Sequence, residues 1–560
     1  MNDQANAEVL VATLRRVFGH DDFLPGQREI VECVVAGGDA LVMRPTGAGK
    51  SLCYQLPALL LPHPTLVLSP LIALMQDQTT SLRERGVAAT FINSTLDRAE
   101  REKRLADLAA GRVRILFVTP ERFRKEEFRR AVQAIRFSLL AVDEAHCVSA
   151  WGHDFRPEYG NVGAIRELLG RPVTIALTAT ATPDCRADIL RTLRIEGARV
   201  FDAGIDRPNL TLGVTRVDDA VARRRRVLEL VKSLPRPGIV YVTLIRELLV
   251  LETELQRAGI RPIVYHGELS PSEKRAAQRQ FDEDDGGVVL ATNAFGLGID
   301  KPNVRYVVHA QAPGSLEAYF QEAGRAGRDG LPAACELVYH EDDLAVQMQF
   351  TEWANPSPSL VREVADWIAD HGDTAASRGE EGLRRSLALS DKRDPRPLTA
   401  LELLRASGVV LGTFEDGDLR ALRRLESGED GVIVDPEKRR RDLLRLYGFV
   451  SWVNAGECRK ALLADYFGVA RAPVPCGACD VCGSPRLVAA SVATADDRDA
   501  APSAPTGVAR GDWIEIAGRG VYLVMKAESR GRRLTVTVED PETLAVESFD
   551  LSRRRWSKLS

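Results

Sequence analysis

The sequence has no uninterrupted hydrophobic run long enough to span a membrane. Its longest apolar stretch, residues 56–75, is broken by four prolines and a histidine, which suits a helix end followed by a buried strand better than a membrane span. The first ten residues, MNDQANAEVL, contain acidic residues and no basic start, so no secretory signal is expected. From these two absences we expect a cytoplasmic protein.

The chain also lacks a net positive charge, because its 75 basic residues are outnumbered by 79 acidic ones. A formal charge of −4 argues weakly against a polyanionic partner. The average conceals basic runs at residues 223–226, 438–441 and 553–555. Each run is explained as readily by a solvated helix face as by a binding patch.

Cysteine is sparse except in one short segment, where four of the nine cysteines lie between Cys458 and Cys482. In a reducing compartment such clustering indicates a metal before disulfides. Cys476, Cys479 and Cys482 form two overlapping C-x₂-C spacings, and with Cys458 they predict a tetrahedral thiolate site for a structural zinc ion. An iron–sulfur cluster is the alternative, because thiolates alone do not choose the metal.

Two lobes of the α/β class are indicated by short apolar runs that alternate with longer amphipathic stretches. The runs ALVM, TLVLS, RILFVT, LLAVDE and VTIALTAT fall between residues 41 and 200, and GIVYVT, RPIVYH, GVVLAT and VRYVVH fall between residues 238 and 309. Strands that are apolar on both faces are typical of parallel sheets covered by helices. No other internal repeat is evident.

Changes of pattern divide the chain of 560 residues into more than one folding unit. The predicted segments are lobe 1 (1–205), lobe 2 (206–345), a helical or winged-helix-like insertion (346–450), a zinc-binding module (451–485), a flexible linker (486–508) and a small β-barrel (509–560). The winged helix is suggested by TALELLRASGVV, although any helical bundle would show similar periodicity. The barrel is suggested by strands that alternate at period two around glycine turns.

A phosphate-binding loop is predicted for RPTGAGKS, residues 44–51, between a buried strand and a helix. Its glycines let backbone N–H groups surround phosphates, Lys50 reaches the β- and γ-phosphates, and Ser51 can hold Mg²⁺. The expected nucleotide contacts are Thr46, Gly47, Ala48, Gly49, Lys50 and Ser51. Arg44 stands where the first glycine of the standard pattern belongs. A plain strand-turn-helix is the alternative.

Paired carboxylates follow the apolar strand LLAV in the sequence Asp143-Glu144-Ala145-His146. A carboxylate at a strand end can hold Mg²⁺, and a second one beside it can polarise the water that attacks the γ-phosphate. We assign Asp143 to the metal and Glu144 to the water. The alternative, an acidic turn at the top of a strand, loses weight once the phosphate loop is considered.

Two arginines are expected to complete the catalytic set from lobe 2. Arg325 and Arg328 in QEAGRAGRDG are three residues apart, which would place both guanidinium groups on one helical face. Fixed guanidinium groups stabilise a transition state whose charge spreads over the γ-phosphate oxygens. A nucleotide would then bridge the two lobes, and closure and opening of the cleft would become a mechanical stroke.

In order along the chain, nine blocks resemble those of the RecQ family of DNA helicases within helicase superfamily two. They are FGHDDFLPGQ, RPTGAGKS, LSPLIALMQDQ, FVTPER, DEAHCVSAWGHDFRPEY, ALTATAT, VYHGEL, ATNAFGLGIDKPNVRYVVH and QEAGRAGRDG. The resemblance covers most of residues 15–345 and resumes at Cys458. It implies two tandem RecA-like P-loop lobes followed by a zinc module, with ATP, Mg²⁺ and Zn²⁺ as cofactors.

The resemblance also implies an ATP-dependent DNA helicase of 3′-to-5′ polarity that serves DNA repair and recombination. Its expected partners are single-stranded and forked DNA, with a protein partner for the barrel, and we expect a monomer that is nucleoid-associated in a bacterium or nuclear in a eukaryote. An RNA remodeller and a nucleic-acid scaffold that ATP merely switches are the rival interpretations. An intact Glu144 and the arginine pair argue against a scaffold.

Motif positions implied by the resemblance supply the DNA contacts. The expected backbone contacts are Ser69, Thr119, Arg122, Asn293 and Lys301. The loop after Asp143-Glu144-Ala145-His146 offers Trp151, His153, Phe155 and Arg156 for stacking on unpaired bases, with an aromatic core segment as the alternative. Thr178 and Thr180 resemble the motif that links the ATP site to the DNA track.

The chain departs from the family where the nucleotide base is read. The family supplies an aromatic residue, an arginine and a glutamine, and here Gln27 is kept while His20 takes the aromatic position and Leu24 replaces the arginine. Selection for adenine is therefore open, although imidazole can still stack. Gln321 and Asp300 complete the expected nucleotide contacts. A typical member also carries a winged helix after the zinc module, where this chain has the linker and the barrel.

Overall fold

The computed structural model describes residues 3–45, 47–70, 72–93, 95–149, 152, 157–296, 301–389, 394–415, 417–471, 473–483, 508, 512–516, 519–530, 533–540, 546–554 and 556–559. They form two compact units, one of Met1–His340 with Gly456–Ala495 and one of Glu341–Ala455 with Asp496–Ser560. Within the described ranges, none of the helices combines the length and apolar character needed to cross a membrane.

Lobe 1 contains a seven-stranded sheet in the order β3-β4-β2-β5-β6-β1-β7. Its strands are β1 (Ala40–Met43), β2 (Thr65–Leu68), β3 (Ala89–Ile92), β4 (Ile115–Val118), β5 (Leu139–Val142), β6 (Val173–Thr178) and β7 (Arg199–Asp202). Every strand pair is parallel. Alternate residues of β1 enter two separate cores, Leu41 and Met43 in one and Ala40 and Val42 in the other. Both faces are therefore buried, as the apolar runs predicted.

The described part of lobe 1 contains eight α-helices beside that sheet. They are α1 (Asp3–Thr13), α2 (Gln27–Val35), α3 (Leu52–Leu60), α4 (Ile72–Glu84), α5 (Arg98–Ala109), α6 (Glu126–Gln133), α7 (Val162–Leu168) and α8 (Pro183–Thr192). The apolar stretch 56–75 becomes the end of α3, the buried strand β2 and the start of α4. That outcome confirms the prediction of a helix end followed by a buried strand.

Lobe 2 repeats the architecture with six parallel strands in the order β10-β11-β9-β12-β13-β8. They are β8 (Leu210–Arg216), β9 (Gly238–Tyr241), β10 (Ile263–Tyr265), β11 (Val288–Ala291), β12 (Tyr306–His309) and β13 (Ala333–Tyr339). Its helices are α9 (Ala220–Ser233), α10 (Ile245–Arg257), α11 (Pro271–Glu283) and α12 (Leu316–Ala323). Two parallel sheets confirm the predicted α/β class.

The basic run 223–226 serves lobe 2 internally. Arg226 is buried and lies 3.6 Å from the buried carboxylate of Glu336 on β13. Arg224 donates to Glu254 on α10 at 2.9 Å. These contacts fasten α9 to its neighbours, so two arginines of the run serve the interior of lobe 2, while Arg225 is exposed.

The second unit begins with a helical segment whose core is formed by residues between 361 and 425. Its elements are α13 (Asp342–Ala354), α14 (Pro358–His371), α15 (Ala375–Ser386, with a break at Gly379), α16 (Arg396–Ala406), β14 (Val410–Leu411), β15 (Arg420–Ala421), α17 (Glu429–Ile433) and α18 (Pro436–Asn454). Strands β14 and β15 form an antiparallel hairpin directly after α16. Helices α14, α15 and α16, followed by this two-stranded hairpin, have the element order of a winged helix. The winged-helix assignment stays a prediction.

The same unit contains a five-stranded antiparallel sheet in the order β19-β18-β17-β16-β20. Its strands are β16 (Trp513–Ile516), β17 (Gly520–Arg530), β18 (Arg533–Glu539), β19 (Val546–Asp550) and β20 (Trp556–Leu559). This domain is packed on α18: the Tyr447 and Trp513 rings are 5.4 Å apart, and Arg439 forms a bidentate pair with the buried Glu539. The basic run 438–441 therefore also serves a structural contact.

Candidate functional site

The phosphate loop lies between β1 and α3, as predicted. Gly47 and Gly49 adopt φ angles of +81° and +71°, a left-handed conformation that glycine alone adopts without strain. A Cβ on Gly49 would lie 2.3 Å from Nε2 of Gln27, so a side chain there would have to displace the Gln27 amide. The Lys50 amine lies over the loop and donates to the Arg44 carbonyl at 3.2 Å. Thr46 lies outside the described residues.

Two side chains tie the base-reading segment to this loop. The buried Arg44 donates to the Ala48 carbonyl at 3.1 Å and to the Pro25 carbonyl at 2.8 Å. Gln27 donates to the Gly49 carbonyl at 3.0 Å and accepts from the Leu24 N–H at 2.8 Å. Arg44, which looked only like a departure from the standard loop pattern, is thus a structural clamp.

The predicted base-reading positions show different exposure. Gln27 is buried in the contacts just described, whereas the Leu24 side chain is 48% exposed and His20 is also exposed. An exposed leucine offers a purine neither a charge nor a hydrogen bond. The predicted contacts of Gln27 and His20 with the nucleotide base therefore stay predictions.

The two carboxylates lie directly beyond β5. Asp143 is buried and accepts the Glu144 N–H at 3.0 Å. Glu144 has a φ of +48°, a left-handed conformation that is strained for a residue with a Cβ. Among the described residues, its buried Oε2 accepts no hydrogen bond. That oxygen lies 3.4 Å from Nδ1 of His146. The turn thus holds the Asp143 carboxylate inside and places the Glu144 carboxylate beside His146.

Charges from both lobes meet at this turn. Burial raises the pKa of Asp143 to about 7, with the Glu144 charge adding to the effect and Lys50 opposing it. Desolvation lowers the pKa of Lys50, against the attraction of Glu144 and Asp143 and with the repulsion of Arg328 and Arg44. The loop, the carboxylates and a lobe 2 arginine therefore form one electrostatic cluster.

The donor set fits Mg²⁺. Asp143 supplies a buried carboxylate and Ser51 a hydroxyl whose oxygen accepts from the Gln78 amide at 3.3 Å. Hard divalent cations prefer oxygen ligands, and a nearby cation favours the ionised form of a carboxyl group whose pKa is raised. Gln78 ends the sequence block LSPLIALMQDQ, but the resemblance of that block to the family did not predict its contact with Ser51.

The two arginines are arranged differently from the prediction. Helix α12 ends at Ala323, and Gly327 has a φ of +55°, so Arg325 and Arg328 do not share a helical face and that expectation is wrong. Arg325 is buried inside lobe 2, where a Cβ on Gly296 would lie 2.8 Å from its Nη2. The helix therefore ends before either arginine.

Arg328 reaches lobe 1. A Cβ built on Gly47 would lie 3.0 Å from Cγ and 3.1 Å from Cδ of Arg328. The arginine stem therefore lies on the phosphate loop itself, within the electrostatic reach of Lys50. One ligand bound at the loop would meet groups of both lobes.

A hydrogen-bonded relay leaves the carboxylate turn toward β6. His146 Nδ1 and the Thr178 hydroxyl are 3.1 Å apart, and that hydroxyl donates to the Thr180 carbonyl at 2.9 Å. Both threonines are buried. The segment predicted to link the ATP site to the DNA track is in direct contact with the turn that carries Glu144.

The predicted DNA contacts of lobe 1 lie at the carboxyl edge of its sheet. Ser69 follows β2 and Thr119 follows β4, and the Ser69 N–H donates to the Val118 carbonyl at 3.2 Å. Arg122 donates to the Asn93 carbonyl at 3.0 Å. The carboxyl edge is where open parallel sheets bind ligands, and the DNA roles stay predictions.

The remaining DNA and nucleotide positions differ in their surroundings. Asn293 is exposed, whereas Lys301 is buried, with its amine 3.0 Å from the Asp282 carbonyl and 3.1 Å from the Asp285 carboxylate. Gln321 lies on α12, half-buried. Trp151, His153, Phe155, Arg156 and Asp300 lie outside the described residues.

The four predicted metal ligands converge. The sulfur atoms of Cys458, Cys476, Cys479 and Cys482 all lie within 4.8 Å of one another. Tetrahedral zinc with bonds of roughly 2.3 Å holds its sulfurs about 3.8 Å apart, so this set fits a structural zinc ion. Cys458 precedes helix α19 (Arg459–Tyr466). On this helix and directly after it, Leu463 and Phe467 are buried, while Leu462 and Tyr466 are only half-buried.

The cysteine module is joined to lobe 2. The Leu212 N–H donates to the Ala478 carbonyl at 3.0 Å, and the Asp480 N–H donates to the Leu212 carbonyl at 2.9 Å. Arg459 donates to both carboxylate oxygens of Asp480, at 3.0 and 3.1 Å. These bonds extend the β8 edge of the sheet into the module.

Three family models match the chain in the same order. The DEAD/DEAH box helicase model matches residues 24–188, and the helicase conserved C-terminal domain matches residues 222–330. The RecQ zinc-binding model matches residues 416–483. Together they cover both faces of the cleft and the four cysteines.

Named relatives agree with these matches. The chain is 43% identical to the ATP-dependent DNA helicase RecQ of Bacillus subtilis over 343 residues, which is 60% of this chain and 56% of that protein. It is 40% identical to the ATP-dependent DNA helicase RecQ of Synechocystis over 345 residues, 60% of this chain and 72% of that protein. The match thus spans little more than half the length of the first relative.

Among solved structures, the DEAD-box helicase Mss116 bound to ssRNA and UDP-BeF is similar with a TM-score of 0.51 and 16% identity. The match covers 71% of this chain and 90% of that one. At this identity the likeness concerns the fold alone, and it confirms the predicted pair of RecA-like lobes.

Proposed function

Because this chain belongs to the RecQ family of helicases, we propose that it is an ATP-driven motor that moves 3′-to-5′ along one DNA strand and separates the duplex. The observation that carries the proposal is the Arg328 stem lying on Gly47 of the phosphate loop. A triphosphate at the loop would be contacted from both lobes, so that its hydrolysis would change how tightly they hold together.

Each site residue has its own role in ATP hydrolysis. Lys50 and the loop N–H groups bind the phosphates, and Glu144 orients water with the oxygen that accepts no hydrogen bond in the described part of the chain. Arg328 and Arg325 stabilise the charge that develops on the γ-phosphate oxygens. Ser51 and Asp143 would hold Mg²⁺, which neutralises phosphate charge when bound.

Coupling to DNA starts at the carboxylate turn. Whatever moves Glu144 also acts on His146 and, through its contact of 3.1 Å, on Thr178. The carboxyl edge that carries Ser69, Thr119 and Arg122 is then the track for a single strand, which makes forked DNA in repair and recombination the natural substrate. The four cysteines would hold Zn²⁺, which supplies the cross-link that a small module otherwise lacks.

The central test measures ATP turnover with and without single-stranded DNA, followed by unwinding of forks that carry either a 3′ or a 5′ tail. We expect DNA to stimulate turnover and only the 3′ tail to support unwinding. Glu144→Gln should keep nucleotide binding and lower turnover by about 100-fold or more, since it removes the group that activates water. The exposed Glu84→Gln on α4 is the control and should behave as wild type.

Each outcome decides between the interpretations. Normal turnover by Glu144→Gln would show that the catalytic assignment is wrong. DNA binding that responds to ATP without any strand separation would favour a switched scaffold. Stimulation by RNA and by no DNA would favour an RNA remodeller.

A further inference from the structure

The segment between β7 and β8 touches the turn that carries the two arginines. The arginine turn is defined here as residues 325–328. Arg207 donates through Nη2 to the Ala326 carbonyl at 3.0 Å and to the Gly327 carbonyl at 2.7 Å. Both acceptors lie between Arg325 and Arg328, so Arg207 grips the backbone that sets where the two guanidinium groups point.

Asn209 completes the grip. Its amide donates to the Gly327 carbonyl at 2.8 Å and to the Leu331 carbonyl at 2.9 Å. A Cβ on Gly327 would lie 2.5 Å from that amide nitrogen, so the turn fits closely around Asn209. Arg207 Nε in turn lies 3.3 Å from the Asn209 Oδ1 that accepts its hydrogen bond. The two side chains act together on one turn.

The zinc module holds this segment from the other side. Lys460, on α19, donates to the Arg207 carbonyl at 2.7 Å and lies 3.4 Å from the Asp206 carboxylate. Its side chain is only 10% exposed, so the amine is committed to these contacts. Helix α19 therefore fixes the backbone from which Arg207 reaches the arginine turn.

The far end of α19 is bound to lobe 1. Arg186 on α8 donates to the Phe467 carbonyl at 2.7 Å and to the Ala181 carbonyl at 3.0 Å. Ala181 directly follows Thr180, the end of the relay from the carboxylate turn. A continuous path of hydrogen bonds and one short helix thus joins the β6 end of lobe 1 to the arginine turn of lobe 2.

We propose that Arg207 is a positioning residue for Arg325 and Arg328, and that α19 of the zinc module holds Arg207 in place through Lys460. The inference rests on the proposed function, since it concerns the arginines of that same site. Its physical basis is that transition-state stabilisation needs guanidinium groups in fixed places, whereas ground-state ATP binding depends mainly on the loop. Loosening the turn should therefore lower kcat more than it raises KM.

The kinetic arm uses the full-length protein with single-stranded DNA. Arg207→Ala is expected to lower kcat by about 100-fold, the loss that follows a misplacement of about 1 Å, with KM for ATP changed by less than about threefold. Arg207→Lys, which lacks the second nitrogen that donates to Asn209 Oδ1, should fall between Arg207→Ala and wild type. Lys460→Met keeps Arg207 and should lower kcat by roughly tenfold.

The control is Arg166→Ala. Arg166 is a half-buried arginine of lobe 1 that donates to Thr174, Asp39 and the Arg194 carbonyl, so its loss tests for general damage. It should leave kcat near the wild-type value. Zinc content is measured for every variant and should equal that of wild type.

A second arm is independent of catalysis. Hydrogen–deuterium exchange of residues 324–331 should quicken in Arg207→Ala and in Lys460→Met, and stay unchanged in Arg166→Ala. Unchanged exchange in Arg207→Ala, or a loss of kcat accompanied by an equal loss of ATP binding or of zinc, would overturn the positioning role. If wild type itself hydrolyses no ATP, the proposed function fails, while the exchange data still decide whether Arg207 holds the turn.

Discussion

Gly47→Ala is the substitution whose effect follows most directly from the structure. Two penalties apply at this position, because Gly47 has a φ of +81° and a Cβ there would lie 3.0 Å from Cγ of Arg328. The backbone penalty belongs to the loop alone. The steric penalty exists only while the lobe 2 arginine lies on the loop.

The two penalties have different magnitudes and different sources. A left-handed alanine costs roughly 1–2 kcal/mol relative to its preferred conformation, which corresponds to a factor of about 5–30 in an equilibrium constant. The contact with Arg328 requires the arginine stem to shift by a few tenths of an ångström, which should appear mainly in kcat. We therefore expect weaker ATP binding together with slower turnover.

A double-mutant cycle separates the two penalties. ATP affinity and kcat are measured for Gly47→Ala, Arg328→Ala and the double variant, with Gly86→Ala as the control. Gly86 has a φ of +78° and nothing within 4 Å of its Cβ position, so it reports backbone strain without the lobe 2 contact. In the Arg328→Ala background, Gly47→Ala should cost less turnover than in wild type. Strict additivity, within about 0.5 kcal/mol, would refute the contact between the arginine and the loop.

Two further predictions concern the loop clamp and the metal module. Arg44→Met leaves the Pro25 and Ala48 carbonyls without their donor, at a cost of about 1–3 kcal/mol. The substitution should therefore raise KM for ATP by roughly 5-fold or more. An unchanged KM in steady-state assays would show that Arg44 does not support the ATP site. Chelation of the ion held by Cys458, Cys476, Cys479 and Cys482 should lower the melting temperature, because the binding energy of a structural ion contributes to folding. An unchanged melting temperature after complete removal of the metal would contradict a structural role.

Most of the fold could be predicted because the buried parallel strands are largely apolar on both faces. Strand β13 is an instructive exception, since its buried Glu336 accepts from the Thr215 hydroxyl and lies 3.6 Å from Arg226. A polar residue inside a buried strand interrupts the apolar run by which such strands are predicted. Its partners are visible only in the tertiary structure. The edge strand β7 escaped notice for the opposite reason, because its residues are mostly exposed.

The site was predicted in its residue types better than in its geometry. Motif spacing indicated Lys50, Asp143, Glu144 and the arginine pair, but it treated Arg325 and Arg328 as neighbours on a helix. Helix α12 ends at Ala323, before either arginine, and Gly327 between them has a φ of +55°. The contacts made by Arg207 are beyond sequence reasoning altogether, because their acceptors are backbone carbonyls more than a hundred residues away.

The ion pairs formed within the basic runs reduce the number of cations that are available to bind a polyanion. Arg224, Arg226, Lys438, Arg439 and Arg441 each neutralise a carboxylate of their own chain, so these five cations are not at hand to displace counterions from a phosphate backbone. Counterion release is what lets many proteins cling to and slide on duplexes regardless of sequence. A polyanion would therefore have to be held by other basic residues of the chain.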